Sequence, residues 1–318
     1  MVRLTSAVCA VAALAAVPSA LANEFSVVKR QATRSSGGAA TANGASPTTA
    51  IPAAAATSFT GSLPASVLSI VTTISSGMAT TFPTYTLPTS ATAGQTNSFV
   101  SGAPPLPTIS TLNPASYPTL DKPPPVDSQE VQQWLSQIDL SKAPTNNVNI
   151  VGEACSNSTN PNFINRGSNG VCWWTCGGCT RDTDITTCPD KNTWGVSYDD
   201  GPSPYTPLLL DYFEQNQIKS TFFIVGSRAI SRPQMLQTEY VSGHQLSVHT
   251  WSHTALTQQS NEEIVAELGW TKKVIKDITG VTPNTMRPPY GDIDDRVRYI
   301  CQQMGLTPII WTSAGGSE

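Results

Sequence analysis

The three histidines of this sequence fall within ten residues of one another. His249 and His253 stand four apart in the stretch SVHTWSH, and His244 lies just before it. A spacing of four places two side chains on one side of a helical turn, and neutral imidazole is a standard zinc ligand. Because isolated pairs at this spacing also arise freely on polar surfaces, a metal site requires further ligands.

Two adjacent carboxylates, Asp199 and Asp200, lie in the motif YDDGP. Neighbouring side chains on a regular strand point to opposite faces, but the following Gly-Pro ends the strand and can turn both carboxylates toward one cavity. Nearby carboxylates repel unless one binds a cation while the other acts as a base. The histidine pair and one aspartate would leave an open position for water, as catalytic zinc requires. The alternative interpretation is a polar turn.

The motif RPPY offers a third group, beginning at Arg287 and ending at Tyr290. The two prolines fix the backbone, which suits a main-chain N–H aimed at an oxyanion, and an arginine can hold a carboxylate through a bidentate ion pair. A proline turn with a surface arginine explains this motif alone equally well. His244 precedes its strand, so we expect it at the opposite end, in a structural role.

Strands and helices that could position these groups alternate from residue 193 onward. Strands are predicted at 193–198, 220–225, 244–249, 284–287 and 307–311, and helices at 205–216, 233–240, 261–279 and 292–304. Ser260 and Glu263 have the spacing of a capping box at the start of the third helix. Repeated strand–helix units imply an α/β fold with a parallel sheet or barrel, with function at the carboxyl ends of the strands.

The first part of the chain has a different composition. Residues 1–22 read as a secretory signal peptide, which predicts a secreted protein, and no later segment reads as a membrane span. Residues 23–125 are rich in Ser, Thr, Ala and Pro, which predicts a disordered, O-glycosylated stalk. Residues 126–192 hold a short helix and a cysteine-rich collar, and residues 193–318 hold the catalytic candidates. The net charge of −4 makes nucleic acid an unexpected partner.

Six cysteines remain after the predicted signal cleavage, and an even number in an oxidising compartment predicts disulfides. They are Cys155, Cys172, Cys176, Cys179, Cys188 and Cys301. The close pair CGGC also has the spacing of a zinc knuckle or a redox motif, although no histidine lies nearby in sequence. Asn157 begins a glycosylation sequon that fits the same compartment.

Together and in this order, SYDDGP, HTWSH and RPPY resemble the motifs of the polysaccharide deacetylases, the NodB-like enzymes of carbohydrate esterase family four. Its fungal chitin deacetylases look most similar. The resemblance covers roughly residues 193–311. It implies a distorted (β/α) barrel of the polysaccharide-deacetylase type, in the cell wall or outside the cell. It also implies that chitin or its oligomers are the partner, and that their N-acetyl groups are hydrolysed to give chitosan and acetate.

The same resemblance assigns roles by motif position. It implies one divalent metal ion, zinc or cobalt, held by Asp200, His249 and His253. Asp199 would be the general base, oriented by Arg287, and the main-chain N–H of Tyr290 would stabilise the oxyanion. Asp199 and Tyr290 would therefore also contact the substrate.

The sequence departs from the family near its end. Family members carry two further motifs, one with Asp and Trp and one Leu-x-His whose histidine protonates the leaving amine, and many fungal members end in a lipid-anchor signal. This sequence reaches PIIW and ends in TSAGGSE without them. We therefore expect a barrel incomplete at the C-terminus and impaired or absent activity. We also expect a monomer. The alternatives are a non-catalytic glycosylated cell-wall or chitin-binding protein, and a deacetylase of acetylated xylan or peptidoglycan.

Overall fold

Five short parallel strands, adjacent in the order of the sequence, form the centre of the fold. The computed structural model describes residues 85–87, 89–145, 172–175, 177–190 and 193–311. The strands are β1 (Ser197–Gly201), β2 (Thr221–Ile224), β3 (Gln245–Val248), β4 (Thr285–Met286) and β5 (Thr307–Pro308). The predicted α/β fold with a parallel sheet is confirmed. The described strands run as an open row, so the barrel and its incomplete end stay predictions.

Helices follow four of these strands, as a chain of parallel strands requires for its crossovers. These helices are α2 (Thr206–Asn216), α3 (Gly226–Ser231), α4 (Pro233–Val241), α5 (Asn261–Thr279) and α6 (Asp295–Gln303), and a further helix, α1 (Gln129–Leu135), precedes the first strand. Short 3₁₀ turns lie at Ile109–Thr111, Pro114–Ser116, Leu140–Lys142, Leu256–Gln258 and Pro289–Gly291. Helix α3 was not predicted, because six residues are too few to display a helical period.

Helix α5 is the longest helix in the described ranges and packs between the sheet and the N-terminal segment. Its predicted capping box is confirmed: Ser260 caps the helix and Glu263 bonds back to it. The helix ends at Gly280, whose φ of 81° is the left-handed conformation that glycine adopts without a Cβ clash. The ring of Trp134, from α1, lies directly on Gly269, where a Cβ would be 2.2 Å from the ring. Gly269 therefore lets α1 dock closely on α5.

Part of the predicted stalk packs on the domain. Leu106 is buried, the Asn97 side chain donates to the Tyr240 carbonyl oxygen at 2.7 Å, and the Tyr117 ring stacks on Trp251. The prediction of a disordered stalk extending to residue 125 is therefore wrong for the described residues from 89 to 125. A few apolar and aromatic residues, widely spaced in a Ser/Thr/Pro background, anchor this segment without forming a regular pattern.

Several predictions fall on residues outside the described ones. These are the signal peptide at residues 1–22, most of the stalk, the sequon at Asn157, and Cys155 and Cys176. None of the helices in the described ranges is long and apolar enough to cross a membrane.

Candidate metal centre and active site

The two aspartates lie inside β1, not after it as predicted. The pairing of β1 with β2 is irregular between Tyr198 and Gly201, and Asp200 has a φ of 69°. A bulge of this kind re-aims side chains, so the two neighbouring carboxylates reach different partners at the same edge of the sheet. Arg228 supports the bulge, since its Nη1 donates to the Asp200 carbonyl oxygen at 2.6 Å.

The two histidines lie on a loop after β3, so the predicted helical turn between them is wrong. Thr250 and His253 have φ values of 63° and 59°, which fold the loop back tightly. The His253 main-chain N–H donates to Thr250 Oγ1 at 3.0 Å, and the rings of His249 and His253 lie 5.0 Å apart. The loop therefore brings the imidazoles as close as a helical turn would.

Three side chains converge in front of this loop. Asp200 Oδ1 lies 3.3 Å from His249 Nε2 and 2.9 Å from His253 Nε2. One ligand atom from each residue lies within 4.8 Å of the others. The predicted set of one aspartate and two histidines is thus brought together at the carboxyl ends of β1 and β3.

The hydrogen bonding of His249 indicates that this set fits a cation. His249 Nδ1 lies 2.7 Å from the Arg287 carbonyl oxygen, which can only accept, so Nδ1 carries the proton. In the neutral ring Nε2 then presents a lone pair toward the carboxylate oxygen of Asp200. Asp200 Oδ1 itself is buried without a satisfied hydrogen bond. Converging lone pairs of imidazole and carboxylate are the donor set of a catalytic zinc site with three protein ligands.

The electrostatics of Asp200 follow from the same neighbours. Burial raises the pKa of Asp200, but its contacts with the imidazoles of His249 and His253 outweigh burial, so the pKa of Asp200 is below its usual range. The side chain as a whole is 49% exposed while Oδ1 is buried. The carboxylate is therefore ionised and open to solvent on one side, as a ligand that shares a cation with water must be.

Asp199 forms a second, separate pair with Arg287. Arg287 Nη1 lies 2.7 Å from Asp199 Oδ1 and 2.9 Å from Ser197 Oγ. The guanidinium lies over the Phe223 ring, with Cζ 3.9 Å from the ring centroid. Burial lowers the pKa of Arg287, and the adjacent charge of Asp199 opposes that effect. The ion pair and the cation–π contact together fix the orientation of Asp199.

The RPPY loop brings Tyr290 beside the histidines. Tyr290 has a φ of 58°, its side chain is 58% exposed, and its ring meets the His253 ring edge-on at 4.7 Å. All six residues predicted for the metal and catalytic roles are therefore at this edge. His244 lies at the amino end of β3, as expected, among aromatic rings.

The collar holds the RPPY loop from outside. A disulfide joins Cys172 and Cys179, and the indole N–H of Trp173 between them donates to Asp292 Oδ1 at 2.9 Å. Asp292 also accepts from the main-chain N–H and the hydroxyl of Thr257. This bridge between collar, loop and domain was missed from the sequence.

The remaining described cysteines do not form the predicted disulfides. Cys188 and Cys301 are free thiols in the described residues, and burial raises the pKa of Cys301 to about 12. Cys301 lies on α6 in the hydrophobic core, where a thiol packs as a small apolar side chain.

The buried carboxylate of Glu267 was also missed. It lies on the buried face of α5 and accepts hydrogen bonds from the loop that carries the histidines. Its only sequence signal is a glutamate three residues after Ile264, on the face that the apolar residues mark as buried.

The chain is similar in sequence to known proteins of one enzyme family. Residues 186–309 match the polysaccharide deacetylase family. The chain is 64% identical over 235 residues to Chitin deacetylase 1 of Cryptococcus neoformans var. grubii, covering 74% of this chain and 48% of that protein. It is 39% identical over 191 residues to the chitin deacetylase of Amylomyces rouxii, covering 58% and 45%. The chain thus spans about half the length of the curated relatives it matches.

Among solved structures, the peptidoglycan deacetylase PdaC from Bacillus subtilis is 31% identical, with a TM-score of 0.36. That match covers 41% of this chain and 60% of PdaC.

Proposed function

We propose that this chain, whose residues 186–309 belong to the polysaccharide deacetylase family, is a metal-dependent deacetylase that hydrolyses the N-acetyl groups of chitin. The observation that carries the proposal is the separation of two carboxylates at one sheet edge. Asp200 faces two imidazoles, and Asp199 pairs with a buried arginine. Hydrolysis of an amide needs a Lewis acid that polarises the carbonyl and a base that takes a proton from the water. One carboxylate is available to bind a Lewis-acidic cation, and the other is available to act as the base.

The metal site of the proposal consists of Asp200, His249 and His253. A divalent cation, zinc or cobalt, would supply Lewis acidity to the acetyl carbonyl and to a water molecule. The three side chains would hold the ion, and the half-exposed Asp200 gives water access to the site.

The protein's own groups carry the proton and the developing charge. Asp199 takes a proton from the attacking water, and the hydrogen bond from Arg287 Nη1 holds the carboxylate in its orientation. The main-chain N–H of Tyr290 is assigned to the oxyanion, because it follows the rigid Pro-Pro backbone and the ring of the same residue lies beside His253. Its ring is assigned to one wall of the substrate site.

The identity of the substrate is supported by the relatives. Those of 64% and 39% identity are both named chitin deacetylases. The disulfide Cys172–Cys179 favours the oxidising compartment that the predicted signal peptide implies. We therefore propose that the chain acts outside the cell or in the cell wall, as a monomer. The competing substrates are acetylated xylan and peptidoglycan.

The leaving amine needs a proton donor, and this requirement keeps a second function open. His244, the third histidine of the chain, is buried at the opposite end of β3. No described histidine is thus left to act as the acid. A chain that binds metal and chitin without turnover would be a non-catalytic chitin-binding protein of the cell wall.

The test is acetate release from N-acetylglucosamine oligomers by the secreted, oxidised chain loaded with zinc or cobalt. We expect release that a chelator abolishes and added metal restores, with chitin oligomers hydrolysed faster than acetylated xylan or peptidoglycan fragments. Asp199→Asn is the matched control, since it keeps the metal ligands. Metal-bound protein that binds insoluble chitin but releases no acetate would establish the non-catalytic alternative.

A further inference from the structure

A buried carboxylate lies beneath the loop that carries both histidine ligands. Glu267, in the middle of α5, is fully buried. Its Oε2 accepts from the main-chain N–H groups of Trp251 and Ser252 at 2.7 and 2.9 Å, and its Oε1 accepts from the Ser252 hydroxyl at 2.5 Å. The two residues that it holds lie between His249 and His253 in the chain.

This loop has few other ways to satisfy its backbone. It is not helical, and its left-handed residues Thr250 and His253 prevent a regular pattern of main-chain bonds. Its carbonyl groups at Thr250 and Trp251 accept from the N–H groups of Gly226 and Ser227, at the start of α3. The N–H groups on the opposite side of the loop face Glu267. Without an acceptor there, two buried donors would be unpaired, at a cost that favours another loop conformation.

We propose that Glu267 is a positioning residue of the metal site: by accepting from the Trp251 and Ser252 N–H groups, it fixes the loop in the conformation that aims both imidazoles at Asp200. This inference rests on the metal site of the proposed function. It places Glu267 outside direct contact with the ion, acting through the backbone between the two ligands. Carboxylates beyond the ligands themselves commonly set metal affinity in this way.

The loop needs an acceptor and not a negative charge. Burial raises the pKa of Glu267, and hydrogen bonds from Ser252 and Trp251 oppose that effect. A glutamine of the same shape can accept both N–H groups with Oε1 and donate to the Ser252 hydroxyl with Nε2. A leucine of similar volume can do neither. The two substitutions therefore separate positioning from charge and from packing.

The experiment measures the dissociation constant for Zn²⁺ by chelator competition, and the melting temperature, for the wild type and three variants. We expect Glu267→Leu to weaken Zn²⁺ binding about 10–100-fold, as loss of a partner beyond the ligands typically does. We expect Glu267→Gln to stay within about threefold of the wild type. The control is Glu239→Leu. Glu239 is another fully buried glutamate, and its carboxylate has no hydrogen-bond partner among the described residues.

Each outcome decides the matter. A folded Glu267→Leu with wild-type Zn²⁺ affinity overturns the inference, and so does an equal loss in Glu239→Leu. If Glu267→Leu does not fold, Glu267→Asp replaces it, because the shorter side chain keeps the carboxylate but withdraws it from the Trp251 and Ser252 N–H groups: several-fold weaker binding supports the inference and unchanged binding overturns it. A wild type that binds no metal would overturn the proposed metal site itself, which is a different failure.

Discussion

Histidine side chains at the two ends of the parallel sheet have different surroundings. At the carboxyl ends, His249 and His253 face the Asp200 carboxylate at 3.3 and 2.9 Å. At the amino end of β3, His244 lies against the rings of Phe213 and Phe222, with centroids 5.5 and 5.1 Å away. Its Nδ1 accepts from the Ser220 main-chain N–H at 3.2 Å.

The difference lies in the partners of the ring. His249 Nδ1 donates to a carbonyl oxygen, so the lone pair of Nε2 is available to bind a cation. His244 Nδ1 instead accepts a hydrogen bond, and apolar rings surround the side chain, so the neutral imidazole packs as part of the core. Burial, and secondarily the charge of Lys219, lower the pKa of His244 to about 3. The hydrogen-bond partner and the surrounding charge, more than the residue type, distinguish a candidate ligand from a core residue.

The largest expected effect is at the ligand end. We predict that His249→Ala weakens Zn²⁺ binding by more than about 100-fold, beyond the range typical of groups outside the ligands, and abolishes metal-dependent acetate release. The reason is the loss of one of the three proposed protein ligands. Zn²⁺ competition titration measures it.

The matched control is His244→Ala, at the other end of the same strand. This truncation creates a cavity among aromatic rings and should lower the free energy of unfolding by about 2–4 kcal/mol while leaving Zn²⁺ affinity unchanged. If both variants lost metal equally, the two ends of the sheet would not have separate roles.

The next largest effect is expected at Asp199, the proposed general base. We predict that Asp199→Asn lowers the rate of acetate release by about 10²–10⁴-fold, the range typical of a general base, with Zn²⁺ affinity within about threefold of the wild type. The amide keeps the shape and can still face Arg287, but it cannot take a proton. Steady-state acetate release and Zn²⁺ titration measure the two quantities. An unchanged rate would assign the base to another group.

Much of the site could be predicted because its residue types are rare in this chain. Only three histidines exist, and two of them follow a predicted strand at a spacing of four. The parallel order of strands then brings Asp200 and Arg287 to the same edge, as ordered motifs at strand ends require. The capping box of α5 is local chemistry between Ser260 and Glu263, and local chemistry can be recognised in a sequence.

What could not be predicted depends on tertiary contacts. The histidine loop reaches the geometry of a helical turn through left-handed residues, at Thr250 and His253, which no propensity favours. Its support comes from Glu267, which lies fourteen residues after His253 on another element. The segment before residue 125 packs through isolated anchors such as Leu106 and Tyr117, and composition alone reads such a segment as disordered.

A smaller effect is expected in the pH dependence of the free energy of unfolding, through His244 at the amino end of β3. Because the pKa of His244 is about 3 in the folded protein and 6.5 as the ordinary value, the unfolded chain binds more protons between these values. The free energy of unfolding therefore falls as pH drops through this window, by up to about 1.4 kcal/mol per pH unit. Urea unfolding from pH 7 to pH 4 measures the slope.

The control for this prediction is His244→Phe, which keeps an aromatic ring and removes the titration. Glu239 is buried on α4, and its raised pKa acts in the opposite direction, but it is present in both proteins. The difference between the two pH profiles therefore isolates His244. Parallel profiles would contradict a depressed pKa.

The smallest expected effect separates the stability of α5 from the positioning of the metal loop. Ser260 Oγ accepts from the Glu263 N–H at 3.1 Å, and the Ser260 N–H donates to Glu263 Oε2 at 2.7 Å. We predict that Ser260→Ala lowers the free energy of unfolding by about 1 kcal/mol and leaves Zn²⁺ affinity unchanged. Glu267 lies on the same helix about two turns beyond the cap, in the packed interior. A loss of affinity in Ser260→Ala as large as in Glu267→Leu would mean that the whole helix, and not the carboxylate, sets the loop. Urea unfolding and Zn²⁺ competition on the two variants distinguish these cases.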